Sequence, residues 1–293
     1  MNDCFITRDF VNDDASATIT DYGAHVLDWT PAGQPKVLWH PRAITLSNGV
    51  AIRGGIPLVF PWFNSGFENG HVADKQPKHG FARISFWHFD EEASSNAVAR
   101  YTLTSDDVPD DLLRTMGGGE KASFHATYEV RCGKEFQASF TVTNDGEHPF
   151  SYDEALHTYL HVGDVRRISV TGLEGATYFD TTIEGHPTRV QPDEPITFDG
   201  TMTDSIYQAA SDGENAVVRV HDETLGRTIV VEKSGSSNTV VWNPGEQGAA
   251  GIGDIANDEW PGFVCVEAAN NHGTPVTLAP GESHTLSQTL RVE

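Results

Sequence analysis

Two histidines four residues apart, His157 and His161 in the stretch DEALHTYLHVGD (Asp153 to Asp164), are of a type and spacing that could do chemistry. Imidazole has the unperturbed pKa nearest neutrality, so it can donate or accept a proton at working pH, and its neutral form binds metals. A histidine satisfied by one hydrogen bond is the plainer alternative. The β-branched and aromatic content of HTYLH favours a strand, in which His157, Tyr159 and His161 share one face. Four strand residues separate the two histidines by about 13 Å, too far for both to hold one zinc ion, so no metal site is expected from them.

A second candidate is Glu267, which interrupts the apolar run GFVCVEAAN. In a strand, Phe263, Cys265, Glu267 and Ala269 share a face, leaving a carboxylate among small and apolar neighbours. Such a carboxylate needs hydrogen bonds or a chemical task, unless it sits at the strand end and reaches water. A third candidate is RGGIPLVFPWF (Arg53 to Phe63) with KHGFAR (Lys78 to Arg83). Gly54 and Gly55 permit a sharp turn or a close approach to a ligand, and Pro57 and Pro61 stiffen the chain beyond them, which would present Arg53 on a rigid support. Between Lys36 and Arg83, six basic residues (Lys36, Arg42, Arg53, Lys75, Lys78, Arg83) outnumber two acidic ones (Glu68, Asp74), a local balance of +4 in a chain of net charge -23. An anion could be held there; a cluster of solvated side chains is the alternative.

The elements that must position these residues read as strands. Segments such as SATITDYGAHVLDWT, VARYTLTS, SFHATYEVRC, FQASFTVTN, RRISVTGLE, AVVRVHDE, RTIVVEKS, NTVVWNPG, GFVCVEAAN and SHTLSQTLRVE recur between Gly, Pro, Asn and Asp clusters. They predict an all-β protein, a large sandwich or barrel, with a tight turn at Asn144 to Gly146 and helical turns only near DDVPDDLLRTM and IGDIANDEW. No linker, repeat or low-complexity tract divides residues 1–293, so one domain is expected. No apolar run approaches the ~20 residues that span a bilayer, and MNDCFITRDF lacks the features of a secretory signal, which places the chain in the cytoplasm. Cys4, Cys132 and Cys265 are too scattered for a disulfide framework or a cysteine-based metal knuckle and are expected to be reduced and structural. With 42 acidic against 19 basic residues, neither nucleic acid nor an anionic membrane is an expected partner.

RGGIPLVFPWF, KHGFAR, ALHTYLHVGD, TDSIY, VVWNPG and FVCVEAAN occur in the order found in the hexose-6-phosphate mutarotases, the glucose-6-phosphate 1-epimerases of the aldose 1-epimerase superfamily, which this chain resembles. The resemblance implies a galactose-mutarotase-like β-supersandwich, mostly antiparallel, and interconversion of sugar anomers through the open-chain aldehyde without metal or other cofactor. It implies that Glu267 is the general base and His157 the general acid, with His161 outside the site. It further implies that His79 hydrogen-bonds sugar oxygens, that Asp204 in TDSIY fixes hydroxyls, and that Arg53 and Arg83 set the phosphate end. The expected partner is a small phosphosugar, met by a monomer. The stretch GEQGAAGIGDIAND after VWNP is less aromatic and less basic than the family pattern, so the pocket wall formed by residues 245–260 is left unspecified. A glycoside hydrolase would use two carboxylates, whereas these candidates are a carboxylate and an imidazole. A noncatalytic sugar binder on the same fold would have no need of both.

Overall fold

Strict alternation along the strands produces the two large sheets of the molecule. In Phe136–Asn144 the residues Phe136, Ala138, Phe140, Val142 and Asn144 are buried while those between are partly exposed, the period of two that a half-buried strand requires. The computed structural model describes residues 5–208 and 217–293, so the expectation for Cys4 lies outside the described residues.

One eight-stranded sheet runs in the order Ile168–Thr171, Val218–Asp222, Arg227–Ser234, Ser283–Val292, Phe136–Asn144, Phe124–Cys132, Val98–Thr104 and His88–Phe89. The other runs Thr188–Val190, Thr177–Asp180, Thr203–Gln208, Asn238–Asn243, Phe263–Asn270, Glu154–Leu156 and Leu58–Val59, with Tyr159–His161 paired to Phe263–Asn270 as its eighth strand. Every strand pairing within both sheets is antiparallel. A three-stranded sheet of Thr7–Val11, Ala15–Thr20 and His25–Pro31 adds to the core through Phe10, Ile19 and Trp29.

The two large sheets share a core in which Val264, Val266 and Ala268 of one cluster with Phe140, Leu286 and Leu290 of the other. Gln288 of the second sheet donates Nε2 to the Val266 carbonyl at 3.0 Å and accepts from the Thr158 hydroxyl, so the polar side chains between the sheets satisfy each other. Phe263–Asn270 is buried on both faces because loops cover the side turned away from the second sheet. Those loops carry RGG and KHGFAR. Gly55 has φ +60, and a Cβ there would lie 2.0 Å from the Val26 carbonyl oxygen, so only glycine lets the turn after Arg53 pack this closely.

All the quoted strand segments form strands. DDLLRTM is helical over Asp110–Met116, IGDIANDEW is a series of turns that runs into a single 3-10 turn at Trp260–Gly262, and a second short helix lies earlier, at Gly245–Ala249. The Asn144 turn exists, its side chain accepting from the Gly146 N–H at 2.9 Å. It does not close a hairpin: the next strand, Phe150–Tyr152, pairs with Val276–Leu278.

Candidate active site

The register of five neighbouring strands assembles the site. Glu154, Ala155 and Leu156 pair with Asn270, Ala269 and Ala268, and Tyr159, Leu160 and His161 pair with Cys265, Val264 and Phe263. Both runs keep one register, which sets His157 directly opposite Glu267. Val240 pairs with Glu267 from the other side, Trp242 with Cys265, and Asp204 with Trp242. Because alternate residues share a face, His157, Glu267, Val240 and Ile206 form one row across the sheet and Tyr159, Cys265, Trp242 and Asp204 the next.

His157 Nδ1 lies 3.3 Å from Glu267 Oε1, with the two residues 8% and 1% exposed. Neither His157 Nδ1 nor Glu267 Oε2 has a hydrogen-bond partner among the described residues. The His157 N–H donates to the Pro57 carbonyl at 3.1 Å, and its ring stacks on Tyr159 with centroids 4.9 Å apart and an interplanar angle of 5°. The Tyr159 hydroxyl accepts from Arg53 Nη1 at 2.9 Å. A continuous set of contacts therefore links the RGG turn to the imidazole.

KHGFAR closes the site from the other loop. His79 stands edge-on to His157 with ring centroids 5.6 Å apart. Its Nδ1 accepts from the Asn64 N–H at 3.1 Å, which leaves Nε2 as the protonated nitrogen of the neutral ring. Arg83 donates Nη2 to the Lys78 carbonyl at 2.7 Å, and its buried Nε has no partner among the described residues. Asp204 accepts from the Thr181 N–H and hydroxyl through its own backbone carbonyl, at 3.0 and 3.1 Å. Its neighbour in charge is Lys78.

Burial governs the protonation of these groups. It pushes Glu267 well above the usual carboxylate range, helped by Asp204 and opposed by Arg83. It pulls His157 well below the usual imidazole range, with Arg83 and then Arg53 adding to the effect, and does the same to His79. Asp204 rises to about 6 by desolvation. The Arg83 guanidinium falls to about 10 through burial and stays cationic at neutral pH. Burial thus favours the uncharged form of both His157 and Glu267, a carboxylic acid beside a neutral imidazole.

All six residues expected from the sequence, Arg53, His79, Arg83, His157, Asp204 and Glu267, gather on this face or in the loops against it. His161 does not join them: burial and the nearby Lys36 and Arg227 lower it to about 4, and its carbonyl accepts from Arg227 at 2.8 Å. Three partners were not singled out from sequence. Lys78 counted only as a basic charge. Cys265 puts its thiol beside His157 and Glu267. Asp254, exposed on the wall of residues 245–260, holds Arg53 with both carboxylate oxygens 3.1 Å from Nε. Its carboxylate supplies from the wall an anionic partner that the family pattern did not predict.

The sequence profile of the family described as aldose 1-epimerase matches residues 10–291. The chain belongs to the aldose 1-epimerase family. Within that family it is 33% identical over 272 residues to an Escherichia coli (strain K12) protein named "Putative glucose-6-phosphate 1-epimerase", covering 92% of this chain and 84% of the relative. It superimposes with a TM-score of 0.83 on the crystal structure of "a putative mutarotase" from Salmonella typhimurium, at 28% identity, covering 100% of this chain and 92% of the other. A "galactose mutarotase-like protein" from Lactobacillus casei shares the fold at 14% identity, with a TM-score of 0.74 over 98% of this chain and 100% of that one. The aldose 1-epimerase fold here is thus the galactose-mutarotase-like arrangement of antiparallel sheets. Among the described residues no helix is long and apolar enough to cross a membrane.

Proposed function

We propose that this aldose 1-epimerase interconverts the α and β anomers of hexose 6-phosphates, glucose 6-phosphate first among them. The observation that carries the reading is the placement of three cations, Arg53, Lys78 and Arg83, around a buried carboxylate–imidazole pair. Guanidinium groups offer paired charge-assisted bonds to a phosphate, and Arg83 keeps an unpartnered buried donor for one. The name of the Escherichia coli relative agrees with this substrate class.

In the forward direction Glu267 takes the proton of the anomeric hydroxyl while His157 protonates the ring oxygen. The bond between C1 and the ring oxygen breaks, the C1 aldehyde turns about the C1–C2 bond, and the ring recloses on its other face with the proton transfers reversed. The pair starts as carboxylate and imidazolium and ends as carboxylic acid and imidazole, so it holds one proton throughout. That is the proton count that burial favours. A phosphate dianion beside Arg83, Arg53 and Lys78 offsets the three charges that, after burial, depress His157, and so raises the proton affinity of the imidazole. His79 donates Nε2–H to a sugar oxygen and Asp204 accepts from hydroxyls. The chain works as one domain, as a cytoplasmic monomer, on a soluble sugar.

The test compares exchange efficiency on glucose 6-phosphate and glucose. A clear preference for the phosphosugar supports the reading. Equal efficiency makes the protein an epimerase of unphosphorylated aldoses.

A further inference from the structure

We propose that His157, Cys265 and Glu267 form a site for a soft divalent cation of the Zn2+ type, which blocks the sugar site when filled. One donor atom from each residue lies within 4.8 Å of the others, and all three residues are buried. They are neighbours by construction of the sheet: Cys265 and Glu267 are two apart on one strand face, and His157 is opposite Glu267. The 3.3 Å between His157 Nδ1 and Glu267 Oε1 is already the edge length of a tetrahedral zinc site, about 3.3 Å for bonds of about 2.0 Å.

Two further observations point to a ligand. His157 Nδ1 and Glu267 Oε2 are buried without hydrogen-bond partners among the described residues, a condition that native interiors avoid. The donor set is one nitrogen, one sulfur and one oxygen, which suits Zn2+, Co2+ or Cd2+ and not the all-oxygen preference of Mg2+ and Ca2+. Three protein donors leave a fourth position for water. Filling the site forms metal–nitrogen, metal–sulfur and metal–oxygen bonds, and the thiol proton and the proton of the acid–base pair go to solvent; nothing is oxidised or reduced. No step of the proposed epimerisation uses the Cys265 thiol, so the cation site is an additional property of this face. The blocking effect rests on the mutarotase reading, whereas the binding does not.

The experiment is a titration of the metal-free, full-length protein with Co2+ under reducing, thiol-free conditions. About one equivalent should develop thiolate-to-cobalt charge-transfer absorption that Zn2+ removes and that Mg2+ and Ca2+ leave unchanged. Cys265→Ser should lack that band and bind Co2+ at least about tenfold more weakly, since loss of even a supporting partner costs about 10–100-fold. Cys132→Ser should keep the band and His157→Ala should lose it, which decides the matter should Cys265→Ser fail to fold. No thiolate band in the native protein, or a band that survives in folded Cys265→Ser, overturns the site. Separately, Zn2+ should stop glucose 6-phosphate exchange at the same stoichiometry, reversibly with EDTA, and exchange persisting at full occupancy overturns the block. The cobalt spectrum is read without sugar, so its failure and that of the mutarotase reading are separate results.

Discussion

His157 and Glu267 face each other across adjacent antiparallel strands, with Nδ1 3.3 Å from Oε1 and both side chains almost removed from water. The continuous register from Glu154 to His161 against Asn270 to Phe263 fixes that relationship, and a slip of one residue would send Glu267 into the apolar core between the sheets.

Glu267→Gln and His157→Asn should each lower anomer exchange by about 10²–10⁴, the range for loss of a positioned general acid or base. Neither replacement adds bulk to the buried face, so circular dichroism and denaturant midpoints should show a folded protein. His161→Asn, away from the pair, should leave exchange within a few-fold of native. Near-native exchange in a folded Glu267→Gln protein contradicts the assignment.

On the proposed function, Arg83 and Lys78 separate sugar from phosphosugar. A charge-assisted hydrogen bond is worth about 1.5–3 kcal/mol, so Arg83→Ala or Lys78→Ala should reduce kcat/KM for glucose 6-phosphate roughly ten- to a hundredfold. Glucose, which lacks the anion, should respond little. Steady-state rates on both sugars with both variants check this, and equal losses on the two sugars would remove these residues from the phosphate end.

Asp254 pairs with Arg53, the cation proposed to meet the phosphate. Partly exposed pairs of this kind are worth about 0.2–1 kcal/mol, so Asp254→Asn should lower KM for glucose 6-phosphate by up to about fivefold while leaving glucose unchanged. A raised KM would show that Asp254 positions Arg53 for phosphate instead of competing with it.

Asp204 gives stability a pH dependence of definite sign. Its carboxyl is raised from 3.8 to about 6 in the folded protein, chiefly by desolvation, so between those values the folded state binds more protons than the unfolded one. Stability from this group therefore falls as pH rises through the window, and the cost is complete above it. Asp204→Asn should stabilise the protein at pH 7.5 and lose that advantage by pH 4. Urea midpoints of the two proteins across this range measure the difference, and a constant difference would contradict the desolvation of the charge.

Much of this architecture was legible in the strand segments, because alternation is a local property and all ten quoted segments form strands. The shared face of His157 and Tyr159 also followed from period two alone. The pairing of His157 with Glu267 did not, since register between strands more than a hundred residues apart leaves no local trace. That IGDIANDEW yields only the 3-10 turn at Trp260–Gly262 has a similar cause: its few apolar residues fit a helical turn, but Ile255 and Trp260 are buried by tertiary packing. NDG marked a real turn, yet nothing in those residues indicates that the chain then leaves for another strand partner. Asp254 and Lys78 are surface-type residues whose importance comes only from the groups that the fold brings to them.

Two-dimensional exchange NMR on glucose 6-phosphate, with native protein and Glu267→Gln at equal concentration, tests the central claim most directly. Native protein should produce cross-peaks between the α and β anomeric protons well above the spontaneous exchange, and the variant should return them to the uncatalysed level. Cross-peaks no stronger with native protein than without it, or equally strong with both proteins, would contradict the account.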